Sequence, residues 1–366
     1  MKNNSKLKKI AIIGTVGIPA KYGGFETLAE YLVKELHEKF SFTVYCSKKS
    51  YPKREQKYLT ARLIYLPINA NGKSSILYDV ISIIHSLFYA DVLLILGVSG
   101  AFMIPVLKLI SKKKIIVNVD GLEWKRDKWS PFAKKYLKKQ EYYAAKYSNI
   151  VIADNKSIQD YLLREYNSNS ELIAYGASHV NKEEISKKEL ESYKITDDYY
   201  FSVCRIEPEN NVHITLEAFS KTDKTMVFVG NWSASDYGLQ LKEKYKVFDN
   251  IIMLDPIYNQ KQLDKLRCNC YTYIHGHSAG GTNPSLVEAM WLGLPIFSLD
   301  VDYNRFTTNN KALFYKDEES LLKLIHKMND KSEMMKIGAN LNTLATDKFN
   351  WKVISDNYSQ LFNDIK

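Results

Sequence analysis

The stretch KKIAIIGTVGIPAKYGGFETLAEYLVKELHEKF, residues 8–40, decides the fold class. Its first part, KKIAIIGT (8–15), is a run apolar on both faces, as expected of a strand in a parallel sheet covered by helices. Gly14, Gly17, Gly23 and Gly24 follow. Then Phe25, Leu28, Ala29, Leu32, Val33, Leu36 and Phe40 fall at the i, i+3, i+4, i+7 spacing of one helix face. Strand, glycine turn and helix open an α/β fold. Glycine lets backbone approach a ligand closely, and free amides at a helix start attract phosphate. The spacing is not G-x-G-x-x-G, and no acid about 20 residues later ends a second strand, which argues against a dinucleotide fingerprint.

The alternation continues through 366 residues, enough for two domains. Strands are predicted at 42–46, 61–68, 91–97, 114–120, 149–154 and 171–177, then at 199–206, 224–230, 250–255, 270–276, 295–300 and 311–315. The polar, charged stretch 178–198 is the expected connection, giving domains 1–180 and 181–366. The closing 350–366, with Trp351, Ile354, Tyr358 and Leu361 on one face, is expected to pack back on the N-terminal domain. The fold class is thus α/β: two Rossmann-like, doubly wound parallel-sheet domains facing across a cleft at their strand C-terminal ends.

Composition narrows the function. The hydrophobic fraction of 45% and charged fraction of 25% suit a globular protein. Cys46, Cys204, Cys268 and Cys270 lack the two pairs of a zinc site and read as reduced cytosolic thiols. The N-terminal MKNNSKLKKIAIIGT does not read as a signal peptide, and glycines and a proline interrupt the apolar 92–107, so no membrane span is expected. Residues 1–180 hold 28 Lys+Arg against 15 Asp+Glu, while 181–366 hold 23 against 26. The first half therefore favours an anionic surface or ligand. Its basic stretch, WKRDKWSPFAKKYLKK (124–139), sets Lys125, Arg126, Lys134, Lys135, Lys138 and Lys139 among Trp124 and Trp129. A basic helix with aromatic anchors suits an anionic membrane interface, where each cation is worth roughly 1 kcal/mol. No helix-turn-helix or RNA module is visible, so no nucleic acid is expected.

The stretch HGHSAGGTNPSLVEAMWLGLP (275–295) carries the second site. Asn283 is suited to the N-cap, Pro284 to the first helical position, and Gly293 to the stop. Gly280 and Gly281 lead into a helix whose free amides offer a site for a diphosphate. Glu288, in its second turn, is placed to reach a hydroxyl beside it. His275 and His277 are read as pointing to opposite faces of an extended segment, which argues against a metal. Arg205, heading CRIEPENN (204–211), is suited to bind a leaving diphosphate, or to pair with Glu207 or Glu209.

Four blocks carry a resemblance: Gly14 to Glu26, Val119 to Arg126, Cys204 to Asn211, and Gly276 to Met290. On these the chain resembles the family four glycosyltransferases of the GT-B fold, and more narrowly the bacterial capsule and cell-wall polysaccharide rhamnosyltransferases. The resemblance implies a retaining, metal-independent hexosyltransferase without cofactor. Its donor would be a nucleotide diphosphate-sugar, best deoxythymidine diphosphate-L-rhamnose. Its acceptor would be a polyprenyl-diphosphate-linked saccharide at the inner, cytoplasmic face of the cell membrane. It implies Gly23 and Gly24 under the donor diphosphate, Arg205 binding it, Glu288 on the ribose, and Asp255 to Tyr258 at the base. This chain departs from the family at three positions. Gly280 replaces the first paired glutamate, leaving the amides of Gly280, Gly281 and Thr282 toward the sugar. Asn210, counted among the donor-binding residues, replaces a lysine, and Asp120, counted as catalytic with Arg205 and Glu288, replaces a histidine near the reacting sugar. UDP-hexose or UDP-N-acetylhexosamine donors, a non-hydrolysing nucleotide-sugar epimerase, and a nucleotide sensor without turnover are the rival readings.

Overall fold

The computed structural model describes residues 7–21, 23–126, 129–196, 198–328 and 330–365. Residues 1–6, Tyr22, Asp127, Lys128, Asp197, Asn329 and Lys366, all within the two domains assigned from sequence, lie outside them. The chain divides into two units, residues 1–175 with 351–366, and residues 176–350.

The first unit is built on β1 (Lys9–Ile13), β2 (Ser41–Ser47), β3 (Lys57–Tyr58), β4 (Ala61–Leu66), β5 (Val92–Leu96), β6 (Lys114–Asn118), β7 (Ile150–Ala153) and β8 (Glu171–Leu172), in the order β3-β4-β2-β1-β5-β6-β7-β8. All neighbours pair in parallel except β3 with β4. Every residue of β5 (VLLIL) is buried, as a strand covered on both faces requires. Helix Gly24–Leu36 buries Leu28, Ala29, Leu32, Val33 and Leu36. One strand is unforeseen and one strand expectation is corrected. The antiparallel β3 is too short to show a period, and β8 pairs through two residues where seven were expected, because the chain leaves the sheet after Ile173.

Helix Trp351–Asp364 completes this unit's core. Trp351 stacks on Tyr31 at 4.6 Å, and the Phe362 ring meets Phe40 and Phe42 edge-on at 5.3 and 6.3 Å. The Asn118 carboxamide donates to the Tyr358 hydroxyl at 3.1 Å. Phe362, fully buried, takes the inner position expected of Leu361, which is only partly buried.

The second unit contains β9 (Tyr199–Val203), β10 (Thr225–Val229), β11 (Ile251–Leu254), β12 (Thr272–His275), β13 (Ile296–Leu299) and β14 (Leu313–Tyr315), in the all-parallel order β11-β10-β9-β12-β13-β14. Residues 176–180, assigned to the first domain from sequence, belong to this unit. Ala177 N donates to Phe349 O at 2.6 Å, and the His179 ring meets Glu288 at 3.1 Å, which holds the segment there. Residues 351–366 fall in the first unit and not in the 181–366 domain, because their apolar face is buried in the cluster around Phe40 and Phe42.

Phe362→Ala should remove a fully buried ring between two others and cost the first unit about 3–5 kcal/mol. Denaturant unfolding followed by tyrosine and tryptophan fluorescence checks it.

Candidate functional site

In the second unit, β9 to β11 are laid down in one direction and β12 to β14 in the other, so the strand order reverses between β9 and β12. Ligands of open α/β sheets bind beyond the strand C-termini at such a switch point. Two loops emerge there, Cys204–Asn211 after β9 and Gly276–Asn283 after β12. They are tied together: the Asn211 carboxamide donates to Gly276 O at 2.9 Å, and Ser278 N and Oγ each donate to Glu209 O at 2.9 Å. A Cβ on Gly276 would lie 2.5 Å from Asn210 O, so only glycine fits.

Arg205 stands on the first loop, its side chain 44% exposed, with Nη1 3.5 Å from Glu207 Oε1. The ion pair offered as its alternative role is therefore present, yet the guanidinium remains open to solvent. Asn210 is buried, and its Nδ2 donates to Arg205 O at 2.7 Å. Its side chain holds the backbone carrying Arg205.

On the second loop Gly280 has φ 121, a conformation that favours glycine. Helix Pro284–Trp291 follows with Asn283 at the N-cap, but the Asn283 side chain accepts no helix amide. Thr282 is buried beside it.

Glu288 points into an ion network that the sequence did not disclose. Its Oε2 accepts from Arg267 Nη1, and its Oε1 faces His179 Nε2 at 3.1 Å. Arg267 is fully buried and also donates through Nη2 to Asp264 Oδ1 at 2.7 Å. Burial alone would raise the Glu288 carboxyl, but the Arg267 charge and the His179 hydrogen bond outweigh it and hold it at about 2. An ionised carboxylate retains lone pairs beyond those two contacts. Asp264 and Arg267 lie three apart on helix Gln260–Cys268, a spacing that signals one helix face but not burial.

His275 and His277 stack face to face, with centroids 4.4 Å apart at 9°. The expectation of opposite faces is corrected: residues two apart in an extended chain share a side. Burial pushes His275 down to about 3, so it is neutral. Among the described residues no group of three or more His, Cys, Asp or Glu is arranged to hold a metal. Tyr258 is exposed on the loop after β11, the sheet-edge strand two places from β9.

The first unit reverses its strand order between β1 and β5. Gly14, with φ 89, crosses so close to β5 that a Cβ would sit 2.0 Å from Leu96 O. The turn then wraps a buried carboxylate. Glu26 Oε1 accepts from Thr15 Oγ1 at 3.0 Å and from Val16 N at 2.6 Å. Gly23, with φ 122, passes so near Glu26 Oε2 that a side chain would strike it. Burial raises the Glu26 carboxyl against these hydrogen bonds, and the charge of Asp120 adds to the rise. Gly24 begins the helix. Asp120, after β6, has φ 60, a strained backbone for a non-glycine residue of the kind found at functional sites.

The basic stretch is partly neutralised by the residue just before it, Glu123. Arg126 Nε lies 2.7 Å from Glu123 Oε2, and Trp129 Nε1 donates to Glu123 Oε1 at 3.0 Å. Lys125 and Lys138 lie over the Trp124 ring at 5.6 and 4.7 Å, and Lys139 lies near Tyr143. Helix Pro131–Tyr147 carries Lys134, Lys135, Lys138 and Lys139, capped by Ser130, which accepts from Ala133 N.

Residues 7–178 match a domain of unknown function, DUF1972, and residues 181–340 match the glycosyl transferases group 1. The second unit thus carries a group 1 glycosyl transferase domain. Comparison with curated proteins gives no match. Among solved structures, this glycosyltransferase is similar to the sucrose-phosphate synthase of Thermosynechococcus elongatus, with TM-score 0.79, 15% identity, and coverage of 97% of this chain and 98% of that one. Anabaena HepE in complex with UDP and glucose matches with TM-score 0.75 and 14% identity over 98% and 99% of the two chains. TarM matches with TM-score 0.70 and 11% identity over the full length of both. The glycosyltransferase thus has the GT-B fold, with a Rossmann-like parallel sheet in each unit.

Arg267→Met should strip Glu288 and Asp264 of their buried counter-charge and cost about 3–5 kcal/mol, read by denaturant unfolding at pH 7. Glu288 is held below its ordinary 4.5, so its stabilisation is complete above that value and is lost as pH falls toward 2. The stability gap between wild type and Glu288→Gln should therefore narrow over that window.

Proposed function

We propose that the protein is a retaining transferase moving L-rhamnose from deoxythymidine diphosphate-L-rhamnose to a polyprenyl-diphosphate-linked saccharide. This would be a step in capsule or cell-surface polysaccharide synthesis. The observation that carries the reading is the placement of Arg205 and the N-terminus of helix Pro284–Trp291 at one switch point, with the ionised Glu288 in that helix. In this reading the donor diphosphate rests on the amides of Gly280, Gly281, Thr282 and Asn283, and Arg205 neutralises the charge that grows as the diphosphate leaves. Glu288 takes a ribose hydroxyl on lone pairs left by Arg267 and His179. Asn210 keeps Arg205 on station, and the main chain up to Tyr258 takes the base.

In the first unit, Gly23 and Gly24 at the helix start are proposed phosphate ligands, and Asp120 is the proposed polar group near the reacting sugar. Retention carries a β-L donor to a β-L-rhamnoside. The acceptor's lipid places the reaction at the cytoplasmic face of the cell membrane, with Trp124, Lys125, Arg126, Trp129, Lys134, Lys135, Lys138 and Lys139 toward its anionic surface. No metal or cofactor enters the scheme. A UDP-hexose is the second reading of the donor, favoured by the HepE structures with UDP and with UDP-glucose.

Incubation with a panel of nucleotide-sugars and a lipid-diphosphate acceptor tests the reading. Transfer supports it, whereas epimerisation or bare binding overturns it. Arg205→Ala should lower turnover ~10²-fold, the typical cost of one preorganised donor. Its thermal midpoint should stay near wild type, since an exposed ion pair contributes little to stability. An unchanged rate would remove Arg205 from the site.

A further inference from the structure

One face of the first unit carries an outward surface that the transfer chemistry leaves unused. From β1 to β2 the chain steps one way along the sheet, whereas the crossovers from β4 to β5, β5 to β6 and β6 to β7 step the other way. Right-handed crossovers therefore put helices Ser75–Ser86, Met103–Ile110 and Pro131–Tyr147 together, on the face opposite helix Gly24–Leu36. Side chains fasten them to one another. Ser99 Oγ donates to Asp79, the Tyr136 hydroxyl donates to Ser99 O at 2.8 Å, and Phe102 N donates to Gln140 Oε1 at 2.8 Å.

Helix Met103–Ile110 is apolar on both sides. Ile104 and Leu107 are buried, while Phe102, Val106, Leu109 and Ile110 face outward at i, i+4, i+7 and i+8. Leu109 is 87% exposed and Ile110 69%. Helix Ser75–Ser86 presents a second stripe, Leu77 and Ile84, which continues into Phe88 at 84% exposure. Phe132, 83% exposed, opens the third helix. Single exposed apolar residues are ordinary, but stripes on adjacent helices mark an interaction surface.

Charge says what covers it. The three helices hold two acids, Asp79 and Glu141, and both are buried. Against these stand six lysines, Lys108 on the second helix and Lys134, Lys135, Lys138, Lys139 and Lys146 on the third. Of the lysines, Lys138 lies 3.7 Å from a carboxylate, Glu165 of the neighbouring helix Lys156–Tyr166. A polyanion such as nucleic acid would meet the lysines but leave the leucine, isoleucine and phenylalanine stripes in water. An anionic bilayer satisfies both, since apolar side chains enter the acyl boundary while lysines rest among headgroup phosphates. No helix among the described residues is long and apolar enough to cross a membrane.

We infer that this face docks flat on an anionic lipid bilayer, with Phe88, Leu109 and Ile110 as the inserting side chains and the lysines of helix Pro131–Tyr147 as the electrostatic frame. The inference rests on the lipid-linked acceptor reading and adds an apolar wedge to it.

Flotation of the full chain with phosphatidylcholine vesicles, with and without phosphatidylglycerol, tests it. Wild type should float with the anionic vesicles and keep a salt-resistant fraction. Phe88→Asn combined with Leu109→Asn and Ile110→Asn should lose that fraction and bind roughly tenfold or more weakly, with an unchanged circular dichroism spectrum and thermal midpoint. Charge reversal at Lys135, Lys138 and Lys139 should remove the salt-sensitive part. The inference is overturned if wild type stays at the bottom, or if it floats and the triple variant floats equally. It is also overturned if the triple variant abolishes concentration-dependent self-association instead, which would assign the face to a second copy. A nucleotide-sugar thermal shift without vesicles reads the donor site independently, so loss of docking and loss of the transferase reading give different results.

Discussion

The Arg267 guanidinium lies entirely inside the second unit, and a charge in that position must be paired. Its two carboxylate partners come from different helices, Asp264 from its own and Glu288 from helix Pro284–Trp291. Asp264 also accepts from Asn181 N and from the Gln260 carboxamide, and Glu288 meets His179. Two helices and the segment entering the unit are thereby fixed by one buried cation. The proposed donor site inherits its geometry from this constraint, because the helix whose free amides would meet the diphosphate is the helix held through Glu288. The same pairing keeps Glu288 ionised, and so able only to accept hydrogen bonds, across the physiological range.

Both switch points depend on close approach of backbone to backbone. Gly14 passes over Leu96 O in the first unit, and Gly276 passes over Asn210 O in the second. A Cβ at either position would push apart the loops that emerge from the two strands flanking the reversal. The sheets supply the crevice, while these contacts set how near its two sides come. The first unit fills the base of its glycine turn with Glu26, whose carboxylate gathers Thr15 and Val16. A residue that reads in sequence as an ordinary first-turn acid thus shapes the loop from beneath.

Much of the fold was legible because parallel strands buried on two faces must be largely apolar: β5 is so throughout, β1 from Ile10 onward, and β9 apart from Ser202. The helix Gly24–Leu36 was legible from its period. Two misread features arise where local pattern carries no information, and a third, the His275–His277 pair, where the period of two was misapplied. β8 is cut short because the chain leaves for the other unit. Phe362 lies deeper than Leu361 because its ring packs edge-on against Phe40 and Phe42, while Leu361 packs against the same cluster from its margin. His275 and His277 stack on one side, as residues two apart in an extended strand do.

By itself the sequence determined which segments are strands and helices, where glycine loops precede helix starts, and that the charge is concentrated in the first half, since these follow from side-chain period, backbone freedom and composition. The tertiary structure decided which groups meet. It turned Asn210 inward, gave Glu288 a buried arginine and a histidine, and laid the apolar stripes of two helices beside a lysine-rich third. Such meetings depend on strand order and crossover direction, which bring together residues tens of positions apart, a property of the assembled sheet that no local window contains.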